Sequence, residues 1–359
     1  MKFVARALAI GLIWIAFAPE HTGTTMRPVT RAIPAPPEAP ANPAVPTASP
    51  SAGTETIWLS PHGSDSANGT RAHPLRTLGG ASRLLCSLRP HCGSLGKPVE
   101  VRLEAGIYTG ATSVWQYSDP SLPTRIVPAG WKPGWTYSDV KAAGGLPVMD
   151  GENAASWGLD IEPKRTGPTN ISIFFIRWQR FTAGAIVQSG GGSDLFYANE
   201  FTRIGQYFTK SQQWGYAGVM LKGVTGSTVA NSSFTDILNV GDSYTHEHGV
   251  YLIRSSHNLV VGNNFTNVGG DPIRIRDSAN YNLIVNNTFT RTGSASYIGD
   301  WQCLTAIHPD CPTGDEKISW HNAFTGNTLM GAHPWHWYRF MPVYCYDLDA
   351  PCPSQRIRQ

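Results

Sequence analysis

The residues with the most chemistry to offer lie between Lys222 and Arg276. Three short alternating segments, 218–222, 249–254 and 272–277, carry Lys222, Tyr251, Arg274 and Arg276 opposite the apolar pairs Val219/Leu221, Val250/Leu252 and Ile273/Ile275. Stacked as neighbouring rungs ~4.8 Å apart, they would place the four polar side chains on one patch. Two guanidinium groups and an ammonium beside a phenol suit a polymer that carries carboxylates. Arginine meets a carboxylate with two parallel N–H bonds, and tyrosine or tryptophan stacks on sugar faces. The plainer alternative pairs Arg274 and Arg276 with Asp271, Asp277 or the coil beneath, an arrangement common on surfaces and of small energetic weight.

His246-Glu247-His248 precedes the second of these segments. Strict alternation would turn both histidines toward the core, although parity need not hold where a strand begins. His248 is then either a buried, hydrogen-bonded histidine at a loop base or a rival for the role of base. A zinc pair is disfavoured because no third ligand is evident. Oxygen ligands from Asp242, Glu247 and Asp271 would suit calcium instead.

Positioning such a patch requires a repeating scaffold. Each segment is followed by a second apolar strand and an asparagine, as in 229–231, 261–265 and 285–289. A unit recurring every ~20–35 residues that cannot bury its own apolar face marks a stacked solenoid. The expected fold is all-β, a right-handed parallel β-helix. Asn199, Asn231, Asn263, Asn287 and Asn322 align as one asparagine ladder, bonding the backbones of neighbouring coils and tolerating a left-handed turn. Asn231, Asn264 and Asn286 also fit the glycosylation sequon, which the ladder makes unnecessary. Segments 204–216, 237–247 and 293–317 read as insertions at one corner of successive coils. Together they would wall the patch with Tyr207, Trp214, Tyr216, Tyr244, Trp301 and His308. From these, Trp214, Tyr244 and Trp301, with Arg276 and His246, are the expected substrate contacts.

The remaining features frame this core. Of the 359 residues 37 are glycine and only 15% are charged, which suits tight turns between short strands better than long surface helices. A net charge of +3 without basic runs gives no case for nucleic acid. Lys2 and Arg6 flank an apolar run, 7–18, too short to span a bilayer, so 1–18 reads as a signal peptide and no stable membrane insertion is expected. Residues 19–55, rich in proline, alanine and threonine, read as a disordered linker. The solenoid should occupy 56–334 and an aromatic cap 335–359. Six cysteines in three local pairs, Cys86/Cys92, Cys303/Cys311 and Cys345/Cys352, favour disulfides and an oxidising compartment. A monomer is expected.

The stretch Ile57-Trp-Leu-Ser-Pro-His-Gly-Ser-Asp65, then Asn68-Gly-Thr70, Pro74-Leu-Arg-Thr77 and Ala81, predicts a strand, a glycine turn and a helix capped by Thr77 that runs to about Leu88. With the alternating segment 99–108, it resembles the opening of pectate-lyase-like β-helix proteins, in which a short helix covers the first coil. That resemblance implies a secreted polysaccharide lyase acting on an acidic, uronate-containing polymer by β-elimination. Arg274 or Lys222 would then be base or neutraliser, Arg276 a carboxylate clamp, and Tyr251 or His248 a proton donor. His248-Gly249 and Arg274-Ile-Arg276 also faintly resemble the polygalacturonase pattern. The paired aspartates of that pattern are missing, with only Asp236 and Asp242 nearby, so a glycoside hydrolase ranks second. A non-catalytic carbohydrate-binding β-helix is the third reading.

Overall fold

The computed structural model describes residues 53–205, 216–239, 246–292, 297–301, 303, 305, 311 and 314–331. The expected signal peptide, most of the linker, the carboxy-terminal cap with Cys345 and Cys352, and Tyr207, Trp214, Asp242, Tyr244 and His308 lie outside the described residues. The first strand is Glu55–Leu59, one residue before the expected start.

Short strands follow one another round three parallel sheets and return to the first after each turn. The first sheet has nine strands, the second eight and the third seven, and every pairing is parallel. The chain is a right-handed parallel β-helix. Helix Leu78–Ser87 packs over its first coil, with the Thr77 hydroxyl accepting from Gly80 N. Cys86–Cys92 and Cys303–Cys311 are disulfides.

Inward side chains fill the bore in columns. Phe201, Phe234, Phe265 and Phe289 stack ring on ring from the second sheet, with centroids 4.6, 4.8 and 4.9 Å apart. The loosely patterned segment 111–146 divides. Trp115 enters the main core, while Trp131 forms a second cluster with Val127, Val140, Phe174 and Phe175.

Two polar columns, rather than one, hold the turns. Between the first and second sheets run Asn199, Ser232, Asn263, Asn287 and Asn327. Each accepts from the backbone N–H of the member before it, at 2.8–3.1 Å. Between the third and first sheets run Asp194, Ser227, Asn258, Asn282 and Asn322, bonded in the same sense. The single-ladder expectation therefore needs correction. Ser232 takes the place assigned to Asn231, which holds the adjacent left-handed turn (φ 50°), and Asn322 belongs to the other column.

Asn263 is fully buried; it accepts from Ser232 N and donates to Val229 O and Asn287 Oδ1. Asn263→Ala orphans these groups, each worth ~1–3 kcal/mol when left unsatisfied in the interior. Urea unfolding should show a loss of about 3 kcal/mol. Asn231→Ala should cost only the ~1–2 kcal/mol of a side chain held in the left-handed region. Equal losses at the two positions would contradict the column assignment.

Candidate functional site

The site lies on the outer surface of the third sheet, whose register decides which side chains share it. Strands Trp157–Ile161, Gly184–Ser189, Ala217–Lys222, His248–Ile253, Ile273–Arg276 and Ile298–Trp301 lie side by side. One outward rung reads Asp160, Val187, Met220, Tyr251, Arg274, Gly299. The next reads Ser189, Lys222, Ile253, Arg276, Trp301. Lys222, Tyr251, Arg274 and Arg276 thus share one face, and the span from Met220 to Arg274 is roughly 10 Å.

A third outward rung holds Trp157, Gly184, Ala217 and His248. It exists because two successive residues of each strand turn inward. Gly158, Ala185, Gly218 and Gly249 face the bore, and so do Leu159, Ile186, Val219 and Val250. A Cβ on Gly249 would lie 2.5 Å from the Phe265 ring, and one on Gly218 would lie 2.8 Å from Phe234. Only glycine lets the backbone approach the aromatic column so closely. This double step corrects the expectation from alternation: His248 faces outward and is the neighbour of Tyr251, their rings edge to face at 5.1 Å. A small residue followed by a branched one, four times over, was the sequence signal for it.

His248 is almost wholly buried, and its Nδ1 bonds to the Asp271 carbonyl at 2.8 Å. A carbonyl can only accept, so the proton sits on Nδ1 and the lone pair on Nε2, which has no hydrogen bond among the described residues. Burial first, then the Arg274 charge, push the imidazole well below its ordinary value, against the pull of the Asp271 bond. His248 is a neutral imidazole. His246, half-buried just before the strand, adds a smaller push in the same direction.

The two arginines differ. Arg274 donates to Asp271 Oδ2 at 2.6 Å, the pairing anticipated as the plain alternative, yet its Nε is buried without an acceptor among the described residues. A buried guanidinium N–H left unpaired costs free energy that an anionic ligand would recover. Arg276 is already occupied. Its Nε reaches both Glu316 oxygens (2.8 and 2.7 Å), its Nη1 donates to Tyr251 Oη (3.2 Å), and it lies over the Trp301 ring at 4.3 Å. Burial opposes its charge, but the bonds to Glu316 and Tyr251 outweigh that and hold it above the usual arginine value. The expected clamp is corrected accordingly: Glu316 fills the fork a substrate carboxylate would need. Arg276 anchors the tyrosine hydroxyl and covers one face of the expected sugar platform Trp301.

Lys222 makes no salt bridge among the described residues. Burial, with Glu162 beside it, raises the Asp160 carboxyl, while the Lys222 charge works the other way. The face therefore runs from carboxylates at one end to cations at the other. Tyr216 stacks on Trp157 at 5.6 Å and is an aromatic wall of that face. Asp236, one of the two aspartates weighed for hydrolysis, accepts from Asn267 beside the second sheet. Of the expected calcium ligands, Asp271 is engaged by Arg274, Glu247 is fully buried, and Asp242 lies outside the described residues. No three His, Cys, Asp or Glu residues converge among the described residues. The third insertion also divides, because strand Ile298–Trp301 lies inside it.

Residues 217–306, which include Lys222, His248, Tyr251, Arg274 and Arg276, match the family model described as a right handed beta helix region. No curated protein matches the sequence. Among solved structures, a rhamnogalacturonan lyase is similar at 11% identity and a TM-score of 0.39, covering 77% of this chain and 62% of its own. A pectate lyase is similar at 13% identity and 0.39, with 79% and 76% covered. A lacto-N-biosidase from Eubacterium ramulus is similar at 10% identity and 0.31, with 77% and 68% covered. The chain thus spans less than two thirds of the length of the rhamnogalacturonan lyase, and likeness of this order assigns no substrate.

Proposed function

We propose that the outer face of the third sheet binds an acidic polysaccharide outside the cytoplasm and cleaves it by β-elimination. The observation that carries the reading is the Arg274 Nε–H, buried without an acceptor on the same face as a neutral imidazole and a phenol. A uronate carboxylate held by Arg274 and approached by Lys222 loses part of its charge, so the adjacent C5–H becomes more acidic. His248 Nε2 takes that proton. The electron pair forms the C4–C5 double bond as the C4–O bond breaks, and the Tyr251 hydroxyl protonates the departing oxygen. Arg276 positions the hydroxyl through its bond to Tyr251 Oη. The two disulfides support an oxidising compartment.

The test is incubation with alginate, pectate and glycosaminoglycans, following the near-ultraviolet absorbance of an unsaturated uronate. Elimination raises that signal, and Arg274→Ala should abolish the rise. Lys222→Ala should lower kcat about tenfold, since the negative charge its ammonium meets grows on the carboxylate as the C5 proton leaves. Reducing ends without the absorbance change would favour hydrolysis, for which Asp160, its carboxyl raised by burial on the Tyr251 rung, would be the acid. Retention of polymer with neither signal would leave a binding protein.

A further inference from the structure

One corner of the solenoid contains polar groups that the groove chemistry does not use. Glu247 is fully buried, and neither carboxylate oxygen has a hydrogen-bond partner. Asn239 is 2% exposed, and its Oδ1 also has none. The two meet at Gly205. Asn239 Nδ2 reaches the Gly205 carbonyl at 3.5 Å, while the Glu247 carboxyl fills the space a Cβ on Gly205 would occupy, 2.4 Å from Oε1. Gly205 has φ +80°, so glycine is required there twice, once for the backbone and once for the carboxyl. The nearest N–H, that of Tyr216, pulls on the carboxyl but donates to Ala183 O at 2.9 Å.

Three buried oxygens without hydrogen-bond partners among the described residues cost several kcal/mol if nothing meets them. Among the described residues no cationic side chain supplies the partner: Arg274 and Arg276 are engaged on the sheet face. Carboxylate, amide and backbone carbonyl oxygens with no nitrogen or sulfur among them form a donor set for a hard cation.

We infer that the corner built from Gly205, Asn239 and Glu247 binds one hard cation, with Ca2+ the best match. It binds through Glu247 Oε1 and Oε2 and Asn239 Oδ1, with water completing the shell. Gly205 lies near the start of the first insertion and Asn239 near the start of the second, which Glu247 ends directly before His248. The ion therefore ties the roots of both insertions to the residue that leads into the base. Its role is structural, separate from neutralising the substrate.

The test uses full-length protein stripped with chelator and titrated calorimetrically with CaCl2, MgCl2 and NaCl, with thermal unfolding followed in parallel. Calcium should bind at one per chain and should raise Tm by several degrees. Glu247→Gln, nearly isosteric, should lose that binding and the Tm rise together. Asn239→Asp should tighten binding about tenfold or more by adding a second carboxylate. It also decides the matter should Glu247→Gln fail to fold. Absence of binding by all three cations, undiminished binding in Glu247→Gln, or unchanged affinity in Asn239→Asp would overturn the assignment.

Discussion

His248→Gln is expected to lower kcat between about a hundredfold and ten-thousandfold, the range a positioned general base contributes. Glutamine is close in size and can still donate to the Asp271 carbonyl, so far-ultraviolet circular dichroism and Tm should change little while elimination is lost. The pH profile adds a second readout. Because burial and Arg274 depress the imidazole, it stays deprotonated well below the ordinary histidine value of 6.5. Activity should therefore persist as pH falls through 6.5, and the acid limb of kcat/KM should appear only beneath it. The same shift has a cost in stability: the unfolded chain takes up a proton near 6.5 that the folded chain refuses, so stability declines as pH drops below that value. An acid limb at or above 6.5, or a glutamine variant with nearly full activity, would remove His248 from the mechanism.

Phe265→Ala should be the most damaging of the single substitutions in the bore, at about 3–5 kcal/mol by urea unfolding. Its ring lies between Phe234 and Phe289 with centroids 4.8 and 4.9 Å away, and no part of it reaches solvent. The backbone at Gly249 already sits against that ring, so the cavity has glycine on one side and two rings it cannot draw together. Phe324, a half-buried residue of the first sheet tilted against Phe289, should cost markedly less when truncated. A loss at Phe265 no larger than at Phe324 would mean that the column contributes by area alone.

The solenoid was legible because its period is imposed by packing. Val219, Val250 and Ile273 each fill one layer of the bore, and their apolar outlines recur wherever a coil returns. The shared face of Lys222, Tyr251, Arg274 and Arg276 follows from that period and from alternation. What depended on a break in alternation was lost. His248 was turned the wrong way in sequence because a glycine looks neutral in an apolar pattern, although Gly249 faces the phenylalanine column as an apolar residue would. Asn231 and Ser232 exchanged roles for a similar reason, since serine can accept the same backbone bond. Glu316, which fills the Arg276 fork, lies 40 residues away across an insertion with no repeat of its own, so nothing in the spacing announces the pair.

The two polar columns have a sense as well as a spacing, since every bond in them points from one coil's N–H to the next coil's side chain. From Asn258 to Asn282, and from Asn263 to Asn287, the offset is 24 residues in both columns. A tandem duplication of that length beginning at Asn258 would hand each severed bond an identical replacement and leave no donor stranded. The fold thus carries a modular unit for its own elongation, and a gene that copied it once would extend the groove by a further step without redesigning either end.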